Sequence, residues 1–562
     1  MAKWPLQPVR PSRWTADCRS PGFRASCSER LQMNTGYDFI IIGGGSAGSV
    51  VAARLTENPD VSVLLLEAGG RDWHPFYHLP AGFAKMTKGI GSWGWHTVPQ
   101  KHMQNRVFRY TQAKVIGGGS AINAQIYTRG NALDYDEWRQ MGCEGWGYED
   151  VLPYYRKAED NDTYDNRYHG KGGPLGVSRP CAPLPICEAY FEAAAALGIP
   201  KNEDVTGEKQ DGVAYYQLTQ RNARRSSSAM AYLAPNKGRP NLHIKIGAQV
   251  RRIVVEGGKA TGVELIDGTR LTAGSEVILS SGSIGSPRLL QLSGIGPADE
   301  LRKLGIDIAY DQPEVGSNLQ DHLDLYCICE VSGPHTYDRY AKPHLSVLAG
   351  LQYLLTRRGP VSSSLFETGG FWYANPDARS PDLQFHLGLG TGIESGVAAM
   401  PDGGVTLNSC YLRPRSRGSV RLKSSNPADA PLIDPNYLQD SQDREMSIRG
   451  LKLTQEILAQ APLKPFIKAE HLPGPGVKTD EDYFRFICEH SKTSHHPAGT
   501  CRMGSDDKAV VDPRLRFNGI EGLRVVDASI MPTVISSNTN AAAIMIGEKA
   551  SDMIHQDHGA LS

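Results

Sequence analysis

Continuous apolar runs mark both ends of the chain, and period-two alternation marks its middle. Phe39-Ile40-Ile41-Ile42 and Val61-Ser62-Val63-Leu64-Leu65-Leu66 read as strands buried on both faces, with a helix between them over Ala47–Leu55 that Asn58-Pro59 stops. Arg156 to Gly173 is polar and reads as loop, and Ile186–Leu197 reads as a helix closed by Gly198. His243–Ile246, Val250–Val255 and Thr261–Ile266 read as a β-meander turning at Gly257-Gly258, and Val277-Ile278-Leu279 as another buried strand. Phe371–Tyr373, Leu383–Leu387 and Ser419–Leu422 alternate as sheet strands do. Near the C-terminus, Leu523–Asp527 is a strand ending in a carboxylate. Asn540–Ile554 is a helix with Ala543, Ile546, Gly547 and Ala550 on one face. A strand–helix pair at each end predicts an α/β protein: a Rossmann-like dinucleotide-binding domain assembled from both ends, with an inserted α+β domain built on an antiparallel sheet.

The first strand runs into Gly43-Gly44-Gly45-Ser46-Ala47-Gly48, a G-x-G-x-x-G turn, and the second ends in Glu67. In such a unit Gly43 permits the tight turn, Gly45 lets backbone approach a pyrophosphate, and Gly48 lets the helix pack closely on the strand. The helix N-terminus offers free N–H groups to the phosphates, and Glu67 stands where a carboxylate accepts from a ribose hydroxyl. The unit leaves open whether the dinucleotide is NAD or FAD.

Composition narrows the function. Lys+Arg and Asp+Glu are both 60 in 562 residues, so the net charge is zero and nucleic acid is not the expected partner. There is no run of 18 apolar residues, so no transmembrane helix is expected. Residues 1–35 carry five arginines and no apolar stretch that a secretory signal would need. They read as a disordered extension, or as sequence upstream of a start at Met33. The ten cysteines form no C-x-x-C pair, and Cys327 and Cys329 are too close for a zinc half-site; no metal site is expected, and a reducing compartment fits.

Four ordered segments then carry a likeness. They are the unit above; Ala113 to Asn123 with its Gly117-Gly118-Gly119-Ser120 core, followed by Tyr127-Thr128-Arg129-Gly130; Gly282 to Gly296; and His495-His496-Pro497-Ala498-Gly499-Thr500 with Val526 to Pro532 and Ser537-Asn538-Thr539-Asn540. Gly316 to His322 is a further signature. On these residues the chain resembles the glucose–methanol–choline (GMC) flavoprotein oxidoreductases from Tyr37 to Ile554, and among them the bacterial dehydrogenases of the L-sorbose, alcohol and choline type.

The resemblance implies FAD as the dinucleotide, held non-covalently because Ile122 stands where some members attach the flavin through histidine. It implies a cofactor set of Gly43, Gly45, Ser46, Gly48, Glu67, Gly117, Gly118, Ser120, Asn123, Val250, Asp527, Ala528 and Asn540, with Asn123 near the isoalloxazine and Asp527 on the ribityl chain. It implies His496 as the base that takes the alcohol proton, and Asn538 as the amide that steadies the developing alkoxide. His495 is expected to line the pocket. The expected boundaries are 36–158, 240–321 and 507–556 for the FAD-binding domain, and 159–239 and 322–506 for the substrate domain.

Several readings stay open at this stage. His322 serves either the chemistry or domain-junction packing. Arg221, Arg224 and Arg225 read as a solvated loop, with an entrance for anions as the alternative. Trp93, Trp95 and His96 line the cofactor crevice or belong to the core. The expected reaction is oxidation of an alcohol or sugar alcohol, with electrons passing to a quinone or other acceptor. The alternatives are O2 as acceptor, or a hydroxynitrile lyase in which flavin is redox-silent. Ser491, Thr493, Ser494, His495, Ser536 and Ser537 predict a pocket rich in hydroxyl partners, hence a sugar or polyol. The expected location is cytoplasmic, with peripheral contact at the inner membrane as a variant.

Overall fold

The computed structural model describes residues 36–393, 400 and 403–559. The extension 1–35 lies outside them. Along the chain, β1 (Gly36–Ile42), α1 (Ser46–Leu55) and β2 (Val63–Glu67) form the first unit. After it come β3 (Leu242–Ile246), β4 (Val250–Glu256), β5 (Lys259–Leu265), β6 (Arg270–Leu279) and α2 (Gly282–Leu292). The middle contributes β7 (Leu323–Val331), α3 (Pro343–Thr356), β8 (Thr368–Trp372), β9 (Leu383–Gly388), β10 (Gly404–Tyr411) and β11 (Ile467–Leu472). The chain closes with β12 (Leu523–Val525) and α4 (Asn540–Asp557).

The first sheet runs β3-β2-β1-β6-β5-β4. β3, β2, β1 and β6 are parallel, with Ile40 beside both Leu64 and Val277. Every position of β2 and most of β1 are buried, which is why these strands read as unbroken apolar runs. β6 changes partner along its free side. Its first half pairs antiparallel with β5, and Val277–Leu279 pair parallel with Leu523–Val525 of β12. The C-terminal end of the chain therefore enters the N-terminal sheet. α4 completes the union by lying on α1: a Cβ on Gly547 would stand 2.9 Å from the Ala47 carbonyl oxygen, and Arg54 Nε donates to the buried Glu548 carboxylate at 2.7 Å.

The predicted meander is corrected at one end. β4, β5 and β6 form it, turning at Gly257 and Gly258, but β3 leaves it to pair parallel with β2. Likewise, 156–173 is not simply loop. A helix runs to Ala158, and Glu159 and His169 are fully buried, 2.9 Å apart, with Arg129 bonded to the same carboxylate. Mutual pairing is what lets so polar a stretch go inside.

The second sheet runs β11-β7-β10-β9-β8, with Gly212–Tyr215 at its far edge, all antiparallel. Ser419–Arg421 is not part of it and pairs instead with Leu432–Asp434. Alternation sorts its residues. Leu325, Leu383, Phe385, Leu387 and Leu407 join one apolar core, together with residues of the helices Ile186–Ala196 and Ser441–Leu458. On the alternate positions the register lines up Asp324, Cys410 and Gln384 in one row and His386 beside Asn408 in the next, all buried. This polar face bears on the site.

Candidate active site

A cavity of about 330 Å³ opens at the carboxyl ends of β1 and β2, where open α/β sheets place their ligands. The ends of the first sheet and the helices that follow its strands line it with Gly43, Gly45, Ser46, Glu67, Val250, Asp527, Ala528 and Asn540. Gly118, Gly119, Ile122 and Asn123 form another wall, and Ser494, His495, His496 and Pro497 a third. Trp93 and Trp95, stacked at 4.9 Å, also border it, while His96 is exposed to solvent.

The cradle fits a dinucleotide. A Cβ on Gly45 would meet no protein atom nearer than 3.9 Å, so the space that glycine keeps open faces a ligand. Gly48 differs: its Cβ would lie 2.0 Å from the Gly43 carbonyl oxygen, a packing requirement of helix on strand. α1 begins with neither a side-chain cap nor an acid in its first turn, leaving its N–H groups and positive dipole end for phosphate. Asn540 donates to Ser46 Oγ at 2.8 Å, and its buried Oδ1 has no partner among the described residues.

Other predicted residues prove partly committed. Glu67 accepts from the Gly44 and Gly69 N–H groups at 2.9 and 2.6 Å, keeping lone pairs for a ribose. Burial pushes its carboxyl above the ordinary range. Asp527 accepts from Gly282 N, Ser286 Oγ and Ser529 N at 2.6–2.9 Å, so it caps α2 as well as bordering the cavity. Gly117 and Ser120 do not line it; Ser120 Oγ donates to Gly117 O and accepts from Ser228 N–H, bracing the turn behind. Asn123 Oδ1 accepts from Arg225 Nη1 at 2.7 Å. That arginine is buried, which corrects the solvated-loop reading; Arg224 and Arg221 remain exposed.

Around His496 the hydrogen bonds fix where the protons sit. The Leu412 carbonyl can only accept, so His322 Nε2, 3.1 Å away, carries its ring's proton. His322 Nδ1 is then bare, and its 3.0 Å contact with His496 Nδ1 is a bond in which His496 donates. His496 Nε2 is left as an acceptor, with Asn538 Nδ2 at 3.0 Å. Asn538 is oriented in turn, because its Oδ1 accepts from Thr128 Oγ1 at 3.0 Å and Gln384 Nε2 at 2.8 Å. Asp321 holds the His496 backbone N–H at 2.8 Å.

Burial, and the neighbouring His322, keep His496 neutral, with its pKa well below the imidazole norm. Burial likewise lowers His322 to about 4, His386 to about 4 and His495 to about 3. His495 sits on the cavity wall at φ 62°, and its Nδ1 has no partner among the described residues. Asp324, His386 and Cys410 offer ligand atoms within 4.8 Å of one another, but the Lys492 ammonium already holds Asp324 Oδ2 at 2.5 Å.

The hydroxyl-rich pocket is corrected. Ser491 Oγ donates to Ile487 O, Thr493 Oγ1 to Asp321, Ser494 Oγ to Asp324, Ser536 Oγ to Asp134 and Ser537 Oγ to Thr128 Oγ1. Of the six residues, only Ser494 and His495 border the cavity. Buried hydroxyls satisfy themselves within the protein first. The sequence reading missed Gln384, Thr128 and Leu412. Only Gln384 carried a signal: Leu383-Gln384-Phe385-His386-Leu387 alternates so regularly that its polar residues had to share one buried face.

Comparison with known proteins gives the family. Two family models described as GMC oxidoreductase match residues 37–324 and 414–547. The chain is 41% identical over 527 residues to an alcohol dehydrogenase [acceptor] of Pseudomonas putida, covering 92% of this chain and 95% of that one. It is 42% identical over 540 residues to the mitochondrial choline dehydrogenase of Mus musculus, covering 93% and 90%. Among solved structures, pyridoxine 4-oxidase from Mesorbium loti superposes with a TM-score of 0.84 at 33% identity, covering 92% of this chain and 99% of that one.

Proposed function

The chain belongs to the GMC oxidoreductase family, with FAD as its cofactor, and from that premise we propose that it is an alcohol dehydrogenase in which His496 is the proton acceptor. Held by the cradle of Gly45, Ser46, Glu67 and Asn540, FAD would supply the acceptor for the hydride leaving the alcohol carbon. His496 Nε2 takes the hydroxyl proton. Asn538 Nδ2 donates to the substrate oxygen as negative charge develops there, and so holds it beside Nε2. A hydroxyl entering this site replaces the direct contact of 3.0 Å between the two side chains, donating to Nε2 and accepting from Nδ2. The observation that carries the reading is the bare Nε2, whose tautomer traces back through His322 to the Leu412 carbonyl.

The cofactor is non-covalent in this reading, since Ile122 on the cavity wall has no atom to form a link. Acid precipitation should release all yellow colour into the supernatant. The substrate is a simple primary alcohol. Phe83, Ile122 and Trp93 give the cavity apolar surface, and the spent hydroxyls remove the physical support for a sugar or polyol. Glu367, buried with Oε2 unpartnered among the described residues and its carboxyl pushed up to about 7 by burial, does not border the cavity as a choline cage would require. The electron acceptor in this reading is a quinone or similar carrier; the Pseudomonas putida relative is named for an acceptor without specifying it.

An anaerobic bleaching screen of the purified flavoprotein tests this. 1-Hexanol should reduce the flavin faster than L-sorbose, a hexitol or choline, and the reduced enzyme should reoxidise faster with a quinone analogue than with O2. Flavin that no alcohol bleaches would reject the dehydrogenase in favour of a redox-silent lyase.

A further inference from the structure

Five of the eleven exposed large hydrophobic side chains among the described residues lie on α3: Val347, Leu348, Leu351, Leu354 and Leu355, exposed by 63, 58, 51, 68 and 85%. Scattered apolar residues on a surface need no explanation, but a contiguous set does. At 100° per residue the five span an arc of about 120° on one side of the helix. The opposite side carries the only two buried residues of α3, Ala349 and Tyr353, and Tyr353 Oη ties the helix down by donating to Ala223 O at 2.9 Å. The apolar stripe is therefore turned away from the body of the protein.

The charge around it has one sign. Arg339 and Lys342 precede the helix, Arg357 and Arg358 follow it, and all four are exposed. From Arg339 to Phe366 the chain contains no Asp or Glu. None of the four cations has a carboxylate partner among the described residues. Asp338, next in line, is turned inward to the Thr391 and Gly404 N–H groups at 2.9 Å.

We propose that α3 docks the protein on an anionic lipid bilayer, with its apolar stripe about 5–10 Å into the boundary between headgroups and acyl chains and its basic ends on the headgroups. Charge selects this occupant over a second copy of the chain. Both ends of α3 are basic, so parallel or antiparallel pairing with its own copy would set cation against cation. The position also suits the chemistry. The turn Pro360–Ser362 after α3 packs on the turn Pro80–Gly82, which leads directly into Phe83 on the cavity wall. Docking thus sets that wall beside the lipid, where membrane-dissolved molecules collect. The inference goes beyond the proposed reaction and stands whichever electron acceptor is used.

Flotation of the full-length holoprotein with vesicles tests it. Wild type should float with phosphatidylcholine–phosphatidylglycerol vesicles and much less with phosphatidylcholine alone. The double variant Leu354→Glu/Leu355→Glu should lower the bound fraction about tenfold or more, as expected when a buried apolar face is made anionic. Its dye-linked activity in lipid-free buffer should match wild type. Arg357→Glu/Arg358→Glu should weaken only the binding to anionic vesicles. The proposal is overturned if wild type stays unbound to both vesicle types or binds both equally. It is also overturned if the leucine variant floats like wild type, as it would were the arginines of residues 1–35 the anchor. A lipid-free dimer that becomes monomeric in the leucine variant would likewise overturn it, assigning the stripe to an interface between copies.

Discussion

The cradle at the head of β1 draws its glycines from residues 43–48, one turn and the start of one helix. The cluster around His496 draws on Thr128, His322, Gln384, Leu412 and Asn538, each from a different stretch of chain. The cradle works by absence: side chains are missing so that backbone and helix dipole face a ligand. The imidazole cluster works by saturation: the Leu412 carbonyl, His322 and Asn538 are bonded in turn so that His496 Nε2 is left without a proton. A site of the first kind should fail all at once when filled. One of the second kind should fail by degrees, according to how far a substitution lies from the bare atom.

Five variants, in descending order of effect, can break or sharpen that contrast. Gly45→Val should yield largely apo protein of unchanged fold, because its side chain projects into ligand space and not into protein; flavin absorbance and circular dichroism read the two halves. Full flavin occupancy would show that the cradle is misassigned. Asn538→Ala should bind FAD normally yet slow anaerobic flavin reduction by roughly 10²–10³, the usual size of one donor to a developing oxyanion.

His322→Leu should cost less, about 10–100-fold in the same rate, the range typical of a partner that orients an imidazole. His322→Asn, whose Oδ1 can still accept from His496 Nδ1, should recover most of it. Equal damage from leucine and asparagine would mean that His322 fills space and does not set the tautomer.

The smallest effect concerns acid stability. His322 and His386 have folded pKa values near 4 against an ordinary 6.5, so between those limits the unfolded chain binds more protons. Their contribution raises stability as pH rises from 4 to 6.5, and it is lost as pH falls through that window. Glu367, raised to about 7, acts with the opposite sign from its ordinary 4.5 upward. His386→Gln should therefore flatten the fall of melting temperature between pH 6.5 and 4. The change cannot exceed one proton's worth of slope, about 1.4 kcal/mol per pH unit. An unchanged slope would show that His386 is not held neutral.

The same contrast explains what the sequence disclosed. The glycine turn, both flanking strands and Glu67 were legible because a contiguous motif carries its own geometry. The meeting of His496 with Asn538 was legible only through likeness to a family. The relay that gives His496 its proton geometry was not legible, since Leu412 contributes a backbone carbonyl, which any residue type could supply. The serines and threonines before His496 and Asn538 misled for a related reason. Sequence shows that a hydroxyl is present but not that Asp321, Asp324 or Asp134 has already taken it. Arg225 was missed because a run of arginines reads as surface unless its partner, here Asn123, is known to come from a hundred residues away.

The account rests most heavily on His496 Nε2 as the proton acceptor, and the rate of anaerobic flavin reduction by 1-hexanol across pH tests it directly. Wild type should hold its rate through neutral pH and lose it only below 6.5, where protonation of a base with a lowered pKa begins. His496→Ala should retain FAD, fall by about 10²–10⁴ and lose that acid limb, while His495→Ala falls far less. A larger loss in His495→Ala, or an acid limb that survives in His496→Ala, would contradict the assignment.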